Sequence, residues 1–398
     1  MHILFVASIY RPHIGGIEKF IEEMGHHLQS LGHQVSVLTK QYPYNLHKKE
    51  KIANIPVYRI RRPITDDDFY RTANELKSLA NELKVDVIHL VGIRRPLGVF
   101  LPFLRDYWKA PLIVTFAGGD VPNENYPEEW QLWQKSKRYL APAIEQADKY
   151  TVFSQDLAKM AKACMPNLSR EEMPVIHAGI DFSLHATVQT HKPDSPYFLT
   201  AARLVPFKGL HYAIDAFCSL KEQTYIIHDL RLKIIGNGPE KERLQNLCQE
   251  KGIEKYVDFL GTQPLQTVYS YLKSTIALLS PSIEEGGGTI NIEASACGAI
   301  PIGARTGGIP EYIQDGVTGI LFEKENVEDL QEAMSEVLHN LELRKELSQN
   351  GQMWARNFSW PVITNKYLEI YKNSQHSSLR KTQNWSTLSS NIQKIIME

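Results

Sequence analysis

The stretch PSIEEGGGTINIEASACG, residues 281–298, follows the apolar run IALL and sets two carboxylates, Glu285 and Glu293, around three consecutive glycines. An aliphatic run, a glycine-rich loop and a helical pattern mark a strand turning into a helix, the place where ligands collect on doubly wound sheets. Gly286, Gly287, Gly288 and Thr289 put free backbone N–H groups at the positive end of that helix, which suits an anion. Eight helical residues span about 12 Å, too far for Glu285 and Glu293 to flank one glycosidic bond, where carboxyl separations run from about 5 to 9.5 Å. The two acids suit the opposite ends of one molecule instead: an anion with a hydroxylated group on each side, as in a sugar nucleotide.

Outward from this stretch the same grammar recurs, and it falls into two series. The first runs through HILFVAS, a helix from Glu18 to Leu31, QVSVLT, VDVIHLV, PLIVTFA and KYTVFS, ending near MPVIHAG. The second runs through YFLTAARL, LRLKIIG, VDFLG, IALLSPS and AIPIGA, with helices between. Short apolar runs alternating with longer helical patterns predict parallel sheets covered by helices. A chain of 398 residues is also more than one core usually organises. The expected division is a first domain over 1–180, a polar linker over 181–196, a second domain over 197–358, a helix over 359–374 and a polar tail over 375–398.

Charge and cysteine usage narrow the class. With 44 Lys plus Arg against 45 Asp plus Glu, nothing in the overall charge attracts nucleic acid. Cys164, Cys218, Cys248 and Cys297 are widely spaced and form neither a CxxC pair nor a disulfide framework, which fits a reducing compartment. The start MHILFVASIY reads as a buried strand rather than a leader, and no apolar stretch reaches spanning length. A cytoplasmic protein, at most working at the inner face of a membrane, is the expectation.

The other glycine-rich points also lie between strand and helix. Gly15 and Gly16, after the first strand, would let backbone approach a phosphate. Gly236 in IIGNGPE lies at a further strand-turn-helix junction, which reads first as a turn and also as a candidate donor contact. In ARLVPFKGLHY, Arg203 and Lys208 stand in an otherwise apolar loop, where two cations call for an anion. The triple acid in TDDDF, residues 65–69, resembles a DxD metal motif. It precedes a helical pattern, however, and reads as a cap with acids in the first turn. No His, Cys or Asp cluster has metal-ligand spacing, so no required metal and no cofactor is expected.

Taken together, GGIEKF, RLVPFKG, GNGPE, the E-x7-E pattern from Glu285 to Glu293 and GGIPEYIQDGVTGILF resemble the retaining glycosyltransferases of family 4, over nearly the whole chain. The resemblance implies an α/β protein of the GT-B class, two facing Rossmann-like doubly wound domains with the donor cleft between them. It implies that Arg203 and Lys208 hold a donor diphosphate, that Glu285 binds hydroxyls of the transferred sugar, and that Glu293 binds the ribose. By the same resemblance Gly15 and Gly16 close over the phosphates, Gly118 and Asp120 touch sugar or acceptor, and the C-terminal helix crosses back between domains. The co-substrate would be a nucleotide-diphosphate sugar, and the acceptor a glycan, lipid-linked or small molecule. Two positions depart from the pattern: Ala117 replaces a common His, and Gly287 replaces a common aromatic, which widens the pocket beside the sugar or lets the loop flex.

Other readings share these features. A sugar-nucleotide epimerase or phosphorylase of similar fold is the nearest, and a non-catalytic sugar-nucleotide-binding protein the next. A nicotinamide-dependent oxidoreductase fits poorly, because QVSVLTK ends without an acid for the ribose and no G-x-G-x-x-G occurs. Arginine pairs in RIRRP (59–63) and GIRRPLG (92–98) would suit an acidic acceptor. Trp130, Trp133, Leu140 and Ile144 form one stripe beside Lys135, Lys137 and Arg138, which allows weak peripheral contact with anionic lipid but suits core packing better.

Overall fold

The computed structural model describes residues 1–13, 15–61, 66–93, 97–118, 121–124, 127–223 and 229–377. The chain forms two compact units: residues 1–179 with the C-terminal segment from Trp360, and residues 180–359.

The first unit is built on a seven-stranded sheet of β1 (His2–Ala7), β2 (Gln34–Lys40), β3 (Lys49–Ile52), β4 (Ile55–Ile60), β5 (Val87–Val91), β6 (Leu112–Phe116) and β7 (Lys149–Val152). The spatial order is β3-β4-β2-β1-β5-β6-β7, parallel except for β3, which runs against β4. Strands such as β1 and β6 are apolar on both faces because helices cover both. The helix Gly16–Ser30 buries Phe20, Ile21, Met24 and Leu28, the stripe expected at a 3.6-residue period. The helix Trp360–Ser377 also belongs here, with Trp360, Ile363, Tyr367 and Tyr371 inside the core.

The second unit carries a six-stranded parallel sheet of β8 (Tyr197–Ala201), β9 (Arg231–Ile235), β10 (Val257–Gly261), β11 (Ala277–Ser280), β12 (Ile300–Ala304) and β13 (Ile320–Phe322), ordered β10-β9-β8-β11-β12-β13. The chain builds outward from β8 in one direction, then returns to β11 and builds in the other. The carboxyl ends of β8 and β11 therefore flank the point where strand order reverses, the usual crevice for a ligand. The polar stretch 181–196 lies within this unit. It forms a short helix, Phe182–Thr187, and is tied down by Ser270 Oγ donating to the Gln189 carbonyl at 2.7 Å and Lys273 Nζ to the Val188 carbonyl at 2.6 Å.

Three strands fall outside the sequence expectation. β3 is the polar edge of the first sheet, where KEKI alternates between exposed and half-buried residues, and β4 beside it buries Ile55, Val57 and Ile60. β13 is only three residues long. In contrast, MPVIHAG contributes only an isolated bridge, Val152 to Val175, rather than a strand.

Candidate active site

The loops after β8 and β11 bring Arg203, Lys208, Ser282, Glu285, Gly288 and Thr289 to one concavity of about 240 Å³. Lys208 forms an ion pair with Glu285, both side chains mostly buried. Ser282, itself buried, donates its hydroxyl to the same carboxylate oxygen, Oε2, at 3.3 Å. The Arg203 guanidinium is exposed and lies 5.8 Å from the centre of the Phe207 ring. A cation beyond an aromatic face and a carboxylate already holding a second cation make a site with separate places for negative and hydroxylated groups.

Backbone contacts hold these side chains in place. Ile283 N donates to the Phe207 carbonyl at 2.9 Å, and Gly308 N to the Glu285 carbonyl at 2.9 Å. Gly307 has φ of +51°, and a Cβ there would lie 1.7 Å from the Glu285 carbonyl oxygen, so only glycine lets this loop back the acid so closely. Gly236 works in the same way on the other side. Its φ is +139°, and a Cβ would lie 1.8 Å from the Ala202 carbonyl oxygen. The loop after β9 thus rests on the loop carrying Arg203, with Leu204 N donating to the Asn237 carbonyl at 3.0 Å. Gly236 itself is not among the residues lining the concavity.

The helix Thr289–Cys297 starts from Gly288, whose carbonyl accepts from Asn291 Nδ2 at 2.9 Å. Its first residues, Thr289 and Ile290, line the concavity, so the positive helix end faces it. Gly286 and Gly287 are half-buried beside it, and around Gly287 the space a side chain would take is open. Glu293 does not line this concavity. It sits one turn further along the helix, buried, and accepts from the Tyr269 hydroxyl at 3.1 Å. Burial first, and the Glu293 carboxylate second, raise the Tyr269 phenol above its ordinary range.

Residues 14–184 match the Glycosyltransferase Family 4 domain, and residues 183–354 match Glycosyl transferases group 1. The chain belongs to glycosyltransferase family 4. An uncharacterized glycosyltransferase of Methanocaldococcus jannaschii is 27% identical over 93% of this chain and 97% of its own. A GDP-mannose-dependent alpha-(1-6)-phosphatidylinositol monomannoside mannosyltransferase of Mycolicibacterium smegmatis is 25% identical over 90% of this chain and 95% of its own. Among solved structures, HepE of Anabaena in complex with UDP aligns with a TM-score of 0.74 at 18% identity, covering 94% of this chain and 100% of that one. The fold is therefore GT-B, with two Rossmann-like units.

In this glycosyltransferase the remaining sequence candidates lie in the first unit. Gly15 caps the helix Gly16–Ser30, and Gly16 is open around its Cα. Beside them His13 Nδ1 lies 2.9 Å from Glu18 Oε1, with Glu18 buried. Gly118 follows β6 with φ of +142°, and Asp120 lies outside the described residues. Thr65 also lies outside them, while the helix Asp66–Glu82 begins at Asp66 and takes the acids of TDDDF into its first turn. Among the described residues, no three His, Cys, Asp or Glu side chains gather as a metal-binding group.

One surface reading meets a different environment, at Arg59, whereas the tryptophan stripe takes the core packing that the sequence favoured. Arg59 is buried, donating to the His47 carbonyl at 3.1 Å and the Arg11 carbonyl at 2.9 Å and pairing with Glu50, so this family 4 chain uses it as an internal strut. Arg62, Arg94 and Arg95 lie outside the described residues. Trp133, Leu140 and Ile144 on the helix Pro127–Ile144 are buried in the core, with Trp130 packed against it, so that stripe faces protein. No helix of the described residues is long and apolar enough to cross a membrane.

Sequence reasoning missed Ser282, Asn291 and the His13–Glu18 pair. Ser282 stands inside the opening stretch, but a lone serine in a loop carries no periodic or spacing signal.

Proposed function

We propose that this glycosyltransferase moves a sugar from a nucleotide-diphosphate sugar to a hydroxyl of a glycan, lipid-linked or small-molecule acceptor, with retention and without a required metal. The observation that carries the reading is the convergence of Arg203, Lys208 and Glu285 before a helix N-terminus at the switch point of the second sheet. Arg203, Lys208 and the helix end neutralise the diphosphate, most strongly as it departs. Glu285 accepts from hydroxyls of the transferred sugar, and Glu293, by family resemblance, from the ribose. The first unit's Gly15 and Gly16 are separate candidates for a phosphate contact.

Retention follows from front-side transfer. The C1–O bond to the diphosphate breaks as the acceptor oxygen bonds C1 on the same face, and the acceptor proton passes to the departing diphosphate oxygen. The protein's part is to place charges and exclude misalignment. The nicotinamide-dependent alternative is set aside by family membership. An epimerase would return the sugar still joined to its nucleotide with one centre inverted, giving no net nucleotide release and no new glycoside, and a phosphorylase would need inorganic phosphate.

The mannosyltransferase relative makes GDP-mannose and an inositol glycolipid the first pair to try, with UDP- and ADP-sugars beside them. Arg203→Ala and Lys208→Ala should each cut nucleotide diphosphate release by about 100-fold or more, and EDTA should leave the wild-type rate unchanged. Full turnover by both variants would overturn the site. An inverted product anomer, read by NMR, would overturn retention, and EDTA sensitivity the lack of a required metal.

A further inference from the structure

Lys208 and Ser282 meet on one oxygen of Glu285, from two different loops. Under the proposed function, the ammonium and the carboxylate of this pair are wanted by different parts of the donor: the diphosphate and the sugar. Both side chains are mostly buried, at 16% and 14% exposure, so neither is fully served by water if its partner leaves. An unpaired buried charge is costly, and the pairing keeps the site satisfied in the absence of donor.

We propose that donor binding is an exchange at Glu285: Lys208 passes from the carboxylate to the diphosphate, a sugar hydroxyl takes its place, and Ser282 keeps the carboxylate oriented throughout. The arrangement favours the whole donor over its parts. A nucleotide-diphosphate sugar replaces the ion pair at both ends. Free nucleotide diphosphate takes Lys208 but returns nothing to Glu285, so the product is held more weakly than the charges around it would suggest. Ser282 is then a positioning residue. It touches no reacting atom, and its hydroxyl is the contact to Glu285 that persists when Lys208 moves.

This inference rests on the donor reading, and one set of titrations separates the two. UDP, GDP and ADP are titrated by calorimetry into wild type, and the tightest is carried through Glu285→Gln, Lys208→Met, the double variant and Ser282→Ala, with thermal melts as a folding check. The expected result is that Glu285→Gln binds the free diphosphate about three- to tenfold more tightly than wild type, the range expected of a partly buried pair. The gain should vanish in the Lys208→Met background. A general charge effect would survive there, which makes the cycle decisive. Ser282→Ala should leave diphosphate affinity unchanged and lower kcat about tenfold. Equal or weaker binding by Glu285→Gln, or a gain that persists without Lys208, overturns the exchange. Wild-type kcat in Ser282→Ala overturns the positioning role. If wild type binds none of the three diphosphates, the donor reading falls and takes the exchange with it.

Discussion

At the residue scale the two acids of the opening stretch have different surroundings, and different consequences follow. Glu285 lines the concavity and shares charge with Lys208, whereas Glu293 is buried one helical turn away against Tyr269. If Glu293 serves the ribose, its partner is remote from the breaking bond and unchanged in charge through the reaction. Glu293→Ala should then raise the donor KM by about tenfold while kcat falls less. Initial rates over donor concentration check this. A loss confined to kcat would remove Glu293 from the binding role. The acids themselves were legible in the sequence because their spacing is local to one strand-loop-helix unit. Lys208 as the partner of Glu285 was not, since 77 residues separate them and only the sheet order places β8 beside β11.

At the element scale the helix Trp360–Ser377 shows how a segment remote in sequence completes a core. Its aromatic face meets Phe20, with the Trp360 and Tyr367 rings 5.7 and 5.6 Å from that ring. Gly179 leaves the space that Trp360 fills: a Cβ there would lie 2.4 Å from the indole. Gly179→Ala should therefore destabilise the first unit by about 1 to 3 kcal/mol, the cost of overpacking a tight core. A chemical-denaturation series measures it, and an unchanged midpoint would show that the indole moves aside freely. The sequence pattern already marked a helix over 359–374. Its partner was not marked, because an amphipathic stripe states that a face will be buried without stating against what.

At the scale of the whole molecule, each unit depends on its own core, and the first has a pH-sensitive centre. His89 is wholly buried on β5, with Nδ1 2.7 Å from the Tyr371 hydroxyl and Nε2 2.6 Å from Thr115 Oγ1, which in turn lies 2.5 Å from Thr151 Oγ1. Burial pushes the imidazole down from 6.5 to about 3. The unfolded chain then takes up a proton before the folded unit does. The contribution of neutral His89 is complete above about pH 6.5 and is lost as pH falls towards 3. Amide exchange along β5 should show opening becoming easier between pH 7.5 and 5 in wild type, after correction for intrinsic exchange. The dependence should be flatter in His89→Gln. Equal slopes in both would mean that other groups dominate acid sensitivity.

By itself the sequence determined two α/β units with mainly parallel sheets, the positions of the glycine turns, and the identities of Arg203, Lys208, Glu285 and Glu293 as candidates. Each of these is written in local pattern: runs buried on both faces, helix starts, and loops with no side chain to spare. Only the tertiary structure decided that Glu285 pairs with Lys208 and Ser282, that Gly236 and Gly307 serve as platforms for neighbouring loops, and that Arg59 is a strut rather than a surface charge. These depend on strand order and on backbone approaching backbone across long sequence separations, and a parallel sheet sets that order through crossovers that leave no mark on local periodicity.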